Sequence, residues 1–133
     1  MEPPMDADKR RSDMDELSRT IIGCAYTVSN ALGHGFLEKV YENALTHELR
    51  KAGLIASQQQ AINVTYDGVV VGEYFADILV NNCVIIELKT VKALDDAHVA
   101  QCLNYLRGTG LTLCLLLNFA TTRVQVKRVV HEF

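Results

Sequence analysis

The stretch EYFADILVNNCVIIELKTV, Glu73 to Val91, reads as two apolar β-strands joined by an Asn-Asn turn. Asp77, Glu87 and Lys89 lie inside its apolar runs. An unpaired charge that is buried in a sheet destabilises a fold by several kcal/mol, so each of these charges needs a partner or a function. The stretch therefore predicts both a sheet and a polar site within it.

The length of the turn decides whether the two acids face each other. A two-residue loop would place Asp77 and Glu87 on opposite faces of the sheet, because side chains alternate along a strand. A three-residue loop, residues 81–83, pairs Val80 with Val84 and places Asp77 opposite Glu87. Such a loop needs a residue in the left-handed conformation, which Asn tolerates. We therefore predict a three-residue loop or a bulge.

Opposed acids beside a lysine are typical of a metal site. Glu87 and Lys89 are two residues apart on one strand, so their side chains share a face. Two carboxylates across a sheet repel each other unless a cation lies between them. Hard oxygen ligands suit Mg²⁺ or Mn²⁺, and a nearby lysine can hold the attacking water or neutralise a phosphate. The alternative is a buried Asp–Lys or Glu–Lys ion pair; the additional acid at Asp77 favours the metal site.

Length and composition predict one globular domain. The chain has 133 residues, of which 49% are hydrophobic and 22% charged, enough for a single core. Its net charge of −3 argues against a protein that coats polyanions, although it permits an enzyme that contacts nucleic acid at one cleft. The four cysteines form no C-x-x-C pair, which favours reduced thiols in a cytoplasmic protein over a zinc site. The longest apolar run, residues 111–119, is too short for a membrane span.

Apolar periodicity and turn residues predict the order α-α-β-β-β-α-β-β after a flexible tail at residues 1–12. The predicted helices and strands cover residues 13–32, 36–51, 57–66, 69–80, 83–91, 95–107, 111–119 and 123–130. A helix between the third and fourth strands forms a crossover, so part of the sheet should be parallel. We expect a single α/β domain, residues 13–133, with a mixed sheet flanked by helices.

The helix after Lys89 carries polar residues on one side. His98, Gln101 and Tyr105 are spaced so that they form one stripe beside its apolar face. A crossover helix packs on the sheet, so Gln101 and Tyr105 can approach the strand acids. The alternative is an ordinary solvated rim.

The second helix carries three acids. Its predicted buried stripe is formed by Leu37, Val40, Tyr41, Ala44, Leu45, Leu49 and Ala52. Glu48 falls near the middle of this stripe and needs a partner. Glu38 falls on its edge, and Glu42 farther round, toward solvent. Either Glu38 supplies an extra acid to the metal site or it caps the turn before the helix.

The segment Gly35-Phe-Leu-Glu38-Lys-Val-Tyr41 resembles the signature of the small bacterial GxxExxY proteins. The words YENALTHELRKAGL, GEYFADILV, ELKTVKAL, AQCLNYLR and LLLNF resemble that family too, in the same order, so the resemblance covers residues 13–130. The family is grouped with the PD-(D/E)XK nuclease superfamily. The resemblance implies a restriction-endonuclease-like core with the order α-β-β-β-α-β.

The resemblance also implies roles for the residues of the hairpin. Asp77 and Glu87 would bind the divalent metal, Mg²⁺ or Mn²⁺, together with the main-chain carbonyl of Leu88. Lys89 would be the lysine of the E-x-K motif. The chain departs from the superfamily pattern at Ala76, where the name-giving Pro is expected.

Further roles fall on the helices. Gln101 and Tyr105 resemble the Q-x-x-x-Y motif, whose residues orient the site and the nucleic acid. Glu38 resembles the acid that the first core helix contributes, and Glu48 is its rival for that role. Basic residues such as Lys92 and Arg107 are candidates for holding flanking phosphates.

Two classes of function follow. The first is a metal-dependent nuclease that hydrolyses phosphodiester bonds of DNA or RNA; the sequence does not separate this from hydrolysis of a nucleotide or another phosphoester. The second is a non-catalytic module that binds nucleic acid or protein on a nuclease-like fold, which the negative charge favours. The last strand, VQVKRVV, is either an edge that pairs with a second subunit to form a homodimer or a solvated face that guards the edge.

Overall fold

The predicted order of helices and strands is confirmed in the computed structural model, which describes residues 7–132. The helices are α1 (Ala7–Leu32), α2 (Glu38–Lys51) and α3 (Asp96–Thr109). The strands are β1 (Ala56–Tyr66), β2 (Val69–Val80), β3 (Val84–Lys89), β4 (Leu113–Asn118) and β5 (Gln125–Val130).

The strands form one sheet in the order β1-β2-β3-β4-β5. β3 and β4 run parallel, whereas the other neighbours are antiparallel. α3 supplies the crossover between the two parallel strands, as the sequence predicted. The two central strands are buried on both faces, which accounts for their nearly continuous apolar sequence.

A hydrophobic core lies on each face of the sheet. α1 and α2 cover one face, which we call the first core; it includes Ile21, Leu45 and Ile86. α3 covers the other face, the second core, with Leu106 and Ile85. Apolar residues at helical spacing in the helices thus meet alternating residues of the strands, so burial of both sets stabilises the layers together.

The N-terminal helix is longer than predicted. α1 begins at Ala7 rather than Asp13, so residues 7–12 of the predicted tail are helical, and residues 1–6 of that tail lie outside the described residues. Residues 8–12 are exposed and carry no apolar stripe, but Asp8 favours a helix start and pairs with Arg11 at 3.7 Å. Within residues 7–132, no helix, α1 included, combines the length and apolar character needed to cross a membrane.

α2 begins at Glu38, two residues later than predicted, because the preceding loop is held by Tyr41. The Tyr41 hydroxyl donates a hydrogen bond to the Gly33 carbonyl (2.7 Å) and accepts one from the Phe36 N–H (3.2 Å). Gly35 has a φ of 110°, a conformation that favours glycine. The loop therefore delivers Glu38 as the first residue of the helix.

The Asn-Asn turn has the predicted three-residue loop. Val80 pairs with Val84. Asn81 and Asn82 have φ values of 51° and 56°, in the left-handed region that asparagine tolerates. In this register, the position of Asp77 lies across from that of Glu87.

Candidate active site

β2 and β3 separate at the point where their two acids meet. The regular pairing of these strands covers residues 78–80 and 84–86 and stops there. At the next position, the Leu88 N–H donates to Asp77 Oδ2 at 2.8 Å, and the Asp77 N–H donates to Glu87 Oε1 at 3.2 Å. Carboxylate oxygens thus take the place of main-chain carbonyls, and both acids are drawn into the gap between the strands.

A local change of face aims Asp77 at this gap. Ile78 packs in the first core, but Ala76, two residues away, packs in the second core. Regular alternation would put both on the same face, so β2 turns over at Asp77. Gln59 of β1 lies across from Asp77, between two regular pairs of the β1–β2 ladder, and has a φ of 53°. The two strands therefore twist together here, as at bulges that re-aim a side chain.

Burial and nearby negative charges disfavour ionisation of the acids in the absence of a cation. Glu87 is only 3% exposed, and burial together with the charge of Asp77 raises its pKa to about 8. Burial also raises the pKa of Asp77, although the hydrogen bond from the Leu88 N–H opposes this shift. Burial and the charge of Asp77 likewise raise the pKa of Glu38. A cation at this position would relieve the repulsion.

Lys89 is half-buried beside the acids without being locked to them. Within residues 7–132 it forms no ion pair, so the alternative of a buried Glu–Lys or Asp–Lys ion pair is not what the structure contains. Its charge nevertheless opposes the rise in pKa of Glu38, Asp77 and Glu87. The ammonium group is therefore within electrostatic reach of all three carboxylates and free to contact another ligand.

The chain after Lys89 is fixed by Asn118, a residue to which the sequence analysis gave no role. Its side chain is fully buried, accepts a hydrogen bond from the Val91 N–H (3.1 Å) and donates one to the Val91 carbonyl (2.8 Å). The Phe119 N–H donates to the Lys89 carbonyl at 2.9 Å. These bonds hold the exit of β3 and with it the orientation of Lys89. The sequence signal that could have revealed this role is the polar residue Asn118 within the apolar run LLLNF.

On α3, Gln101 and Tyr105 are joined by a hydrogen bond from Gln101 Nε2 to Tyr105 Oη at 2.9 Å. Tyr105 is 4% exposed, and burial together with the charges of Glu87 and Asp77 raises its pKa. The Gln101–Tyr105 pair therefore lies within the field of the acids rather than on a solvated rim. The third member of the predicted stripe, His98, instead closes a capping box with Asp95 at the start of the helix.

Glu42 was wrongly predicted to face solvent. It is 3% exposed, whereas Leu37 and Val40 of the predicted buried stripe are 81% and 38% exposed. The helix is thus rotated relative to the prediction. Its carboxylate accepts hydrogen bonds from Gln58 Nε2 at 2.6 Å and Gln59 Nε2 at 2.9 Å. The run of three glutamines in β1 was a signal that a polar partner faces this strand.

Glu42 is connected to the acid pair. Lys39 Nζ lies 2.7 Å from its carboxylate, and Gln59 Nε2 also lies 3.4 Å from Asp77 Oδ1. Glu48, the rival of Glu38, belongs elsewhere: it pairs with Lys51 at 3.3 Å and lies near Cys24. The structure therefore brings Glu38 to the site and leaves Glu48 out.

The donor set fits a hard divalent cation held mainly by substrate and water. Within the described residues, no group of three or more His, Cys, Asp or Glu side chains is placed so that it could hold a metal ion by itself. Mg²⁺ does not need one, because it keeps several waters and is bound through one or two carboxylates plus phosphate oxygens. Asp77 and Glu87 supply two carboxylates whose ionised forms need such a cation. Leu88, whose carbonyl is the third predicted ligand, directly follows Glu87 on the same strand.

The fold agrees with what sequence and structure comparisons find. The model of the PD-(D/E)XK nuclease superfamily matches residues 15–129, so the chain belongs to this superfamily. The mixed five-stranded sheet with three helices is its restriction-endonuclease-like fold. No curated protein sequence matches the chain.

Two solved structures are similar to the chain. The crystal structure of SSO0001 has a TM-score of 0.54 and 18% identity, with 93% of this chain and 62% of that chain covered. The chain thus spans less than two thirds of the length of SSO0001, and this likeness concerns the fold alone. An alkaline exonuclease, LHK-Exo from Laribacter hongkongensis, has a TM-score of 0.48 and 13% identity, with 81% of this chain and 76% of that chain covered.

Proposed function

We propose that the chain is a divalent-metal-dependent nuclease of the GxxExxY branch that hydrolyses phosphodiester bonds of nucleic acid. The observation that carries the proposal is the gap between β2 and β3. There Asp77 Oδ2 accepts a hydrogen bond from the Leu88 N–H and Glu87 Oε1 accepts one from the Asp77 N–H, and Lys89 lies beside them without an ion pair to any of residues 7–132. Two acids that repel each other and a free ammonium group form a site for a cation and a phosphate.

Asp77, Glu87 and the Leu88 carbonyl would hold Mg²⁺ or Mn²⁺. The ion, when bound, would lower the pKa of a water molecule and screen the charge of the phosphate. The hydrogen bonds from main-chain N–H groups use one oxygen of each carboxylate. Each carboxylate has about four lone-pair positions, so both acids retain acceptor capacity for a cation.

The other residues would position the reacting groups and neutralise the charge of the phosphate. Lys89 would contact the scissile phosphate and stabilise the negative charge that grows there during attack. The Gln101 amide, whose orientation is fixed by Tyr105 Oη at 2.9 Å, would hold the nucleophile or the phosphate. Glu38, whose carboxylate interacts with Asp77 and Lys89, would accept a hydrogen bond from water on the α2 side of the site.

Cleavage assays on single- and double-stranded DNA and RNA test this function. We expect activity with Mg²⁺ or Mn²⁺ that EDTA abolishes. Asp77→Asn, Glu87→Gln and Lys89→Met should each lower the rate by at least about a hundredfold, the scale of removing one group that stabilises transition-state charge. Glu48→Gln is the matched control, because it also neutralises a half-buried glutamate of this chain but lies outside the site.

The proposal is wrong if cleavage survives both Glu87→Ala and Lys89→Ala. A non-catalytic module is the second candidate, and one observation favours it: there is no Lys or Arg between Lys51 and Lys89. Calorimetry separates the two, because the nuclease must bind Mn²⁺ through Asp77 and Glu87, whereas failure of the wild-type chain to bind Mn²⁺ would favour the module.

A further inference from the structure

We infer that the substrate is unpaired nucleic acid, held by stacking of its bases on Phe75 and Phe36. This inference rests on the proposed nuclease function and names its substrate class. The structural basis is the segment of β1 and β2 that extends beyond β3, here called the ribbon, residues 59–77. β2 has twelve residues, but only residues 78–80 pair with β3.

One face of the ribbon is packed and the other is open. The Tyr74 ring lies 5.9 Å from the Tyr105 ring of α3, and Ala76 is buried in the second core. Phe75 lies between these two residues, so its side chain points away from α3. It is 49% exposed, and its neighbour across the ribbon is the small residue Ala61. The Phe75 ring is thus an uncovered flat surface two residues from Asp77.

A second exposed ring lies at the start of α2. Phe36 is 49% exposed and is two residues from Glu38. Its N–H is bonded to Tyr41 Oη at 3.2 Å, and its ring meets the Tyr41 ring edge-on at 6.2 Å. Tyr41 is itself buried and stacked on Phe119 with centroids 4.8 Å apart. Phe36 is therefore held in place before any ligand binds, which lowers the entropy lost on binding.

The two rings belong to one site because α2 and β2 are linked beside the acid pair. Gln59 Nε2 lies 2.9 Å from Glu42 Oε1 on α2 and 3.4 Å from Asp77 Oδ1 on β2, so the segments that carry Phe36 and Phe75 meet there. Stacking on aromatic side chains is the sequence-tolerant way in which proteins hold the bases of single strands, and it contributes about 1–3 kcal/mol per base. Bases inside a duplex are already stacked and cannot use such rings.

The charge distribution also favours a single strand. The ribbon contains no Lys or Arg and carries two further acids, Asp67 and Glu73. A duplex laid across the site would bring phosphates of a second strand over this acidic surface, where they are repelled. A single strand can turn its phosphates toward Lys89 and the exposed Lys92 while its bases face the rings.

Fluorescence anisotropy with EDTA present measures binding without cleavage. The probes are a labelled 20-nucleotide single-stranded DNA, the corresponding RNA and the DNA duplex. We expect both single strands to bind more tightly than the duplex. Phe75→Ala and Phe36→Ala should each weaken single-strand binding by about five- to a hundredfold, the range for loss of one stacked base.

Two further variants keep the test decisive. Phe75→Leu retains apolar volume but removes the flat ring, so it should also weaken binding even if Phe75→Ala unfolds. Tyr66→Ala is the matched control, because this aromatic residue is 75% exposed at the far end of the same hairpin, next to the Asp67-Gly68 turn. It should bind like the wild type.

Tighter binding of the duplex, or unchanged binding by all three phenylalanine variants, would overturn the inference. So would self-association in sedimentation experiments that Tyr66→Ala abolishes while nucleic-acid binding of Phe75→Ala is unchanged, because the exposed apolar residues would then form a protein interface. Ring-dependent binding without cleavage would instead remove the nuclease function and leave the binding surface. Efficient duplex cleavage by Phe75→Ala would instead support the nuclease function and rule out the binding surface.

Discussion

Replacing Glu87 by Gln should stabilise the metal-free protein at high pH while abolishing its proposed activity. Glu87 is 3% exposed, and burial and the charge of Asp77 raise its pKa from 4.5 to about 8. Glutamine has the same shape and can still accept the hydrogen bond from the Asp77 N–H through its carbonyl oxygen. The substitution therefore removes the charge and little else.

The sign follows from proton linkage. Between about pH 4.5 and pH 8 the folded chain holds a proton on Glu87 that the unfolded chain has lost, so wild-type stability falls as pH rises. At about 1.4 kcal/mol per pH unit, the penalty reaches at most about 5 kcal/mol above pH 8. Small domains have a total stability of about 5–15 kcal/mol, so this penalty is a large share. The Glu87→Gln variant has no such loss of stability, because glutamine does not ionise.

Urea denaturation in EDTA, followed by circular dichroism from pH 5 to pH 8.5, measures the difference. We expect the wild type and Glu87→Gln to be similar at pH 5 and the variant to be more stable by several kcal/mol at pH 8.5. Glu48→Gln is the matched control, because it removes the charge of a half-buried glutamate outside the site. Millimolar Mn²⁺ should restore stability to the wild type alone, because a ligand of the folded state stabilises it. Parallel pH curves for wild type and Glu87→Gln would refute this reasoning.

Three other variants or reagents probe the surroundings of the site. Asn118→Ala leaves the Val91 N–H and carbonyl without their side-chain partner, so urea denaturation should show a loss of about 2–3 kcal/mol, and the cleavage rate should fall as Lys89 loses its support. Tyr105→Phe removes the acceptor of the Gln101 hydrogen bond; it should cost only about 1 kcal/mol of stability but lower the cleavage rate about tenfold. Of the four free thiols, the part-exposed Cys83 should react first with a thiol reagent under native conditions, and the three buried thiols only on unfolding.

The arrangement of the hairpin could be predicted because it depends on local rules. Side chains alternate along strands, and asparagine tolerates the left-handed conformation, so the sequence around residues 81–83 limits the register. That register alone brings Asp77 and Glu87 to the same position of the sheet. The crossover helix between β3 and β4 similarly follows from the spacing of its apolar residues.

The predictions that were wrong, or that were not made, concern features that depend on tertiary contacts. Helical spacing identifies an apolar stripe on α2, but it cannot tell that Leu37 and Val40 stay exposed while Glu42 turns inward to the amides of Gln58 and Gln59. The helical start at Ala7 was missed because residues 8–12 are all exposed and show no apolar period. The change of face at Asp77 arises from two strands twisting together, which one strand's pattern does not show.

The hydrogen bond from the Leu88 N–H to Asp77 Oδ2 gives the chain its own spectroscopic probe. Most amide protons in a sheet face neutral carbonyls, whereas this one faces a group that gains or loses a full charge, and such bonds shorten when the acceptor is ionised. In a ¹⁵N-labelled sample, the Leu88 resonance should move when Asp77 is titrated or when Mg²⁺ is added. Binding of a metal ion at Asp77 and Glu87 can thus be followed by NMR at a single backbone amide before any substrate has been found.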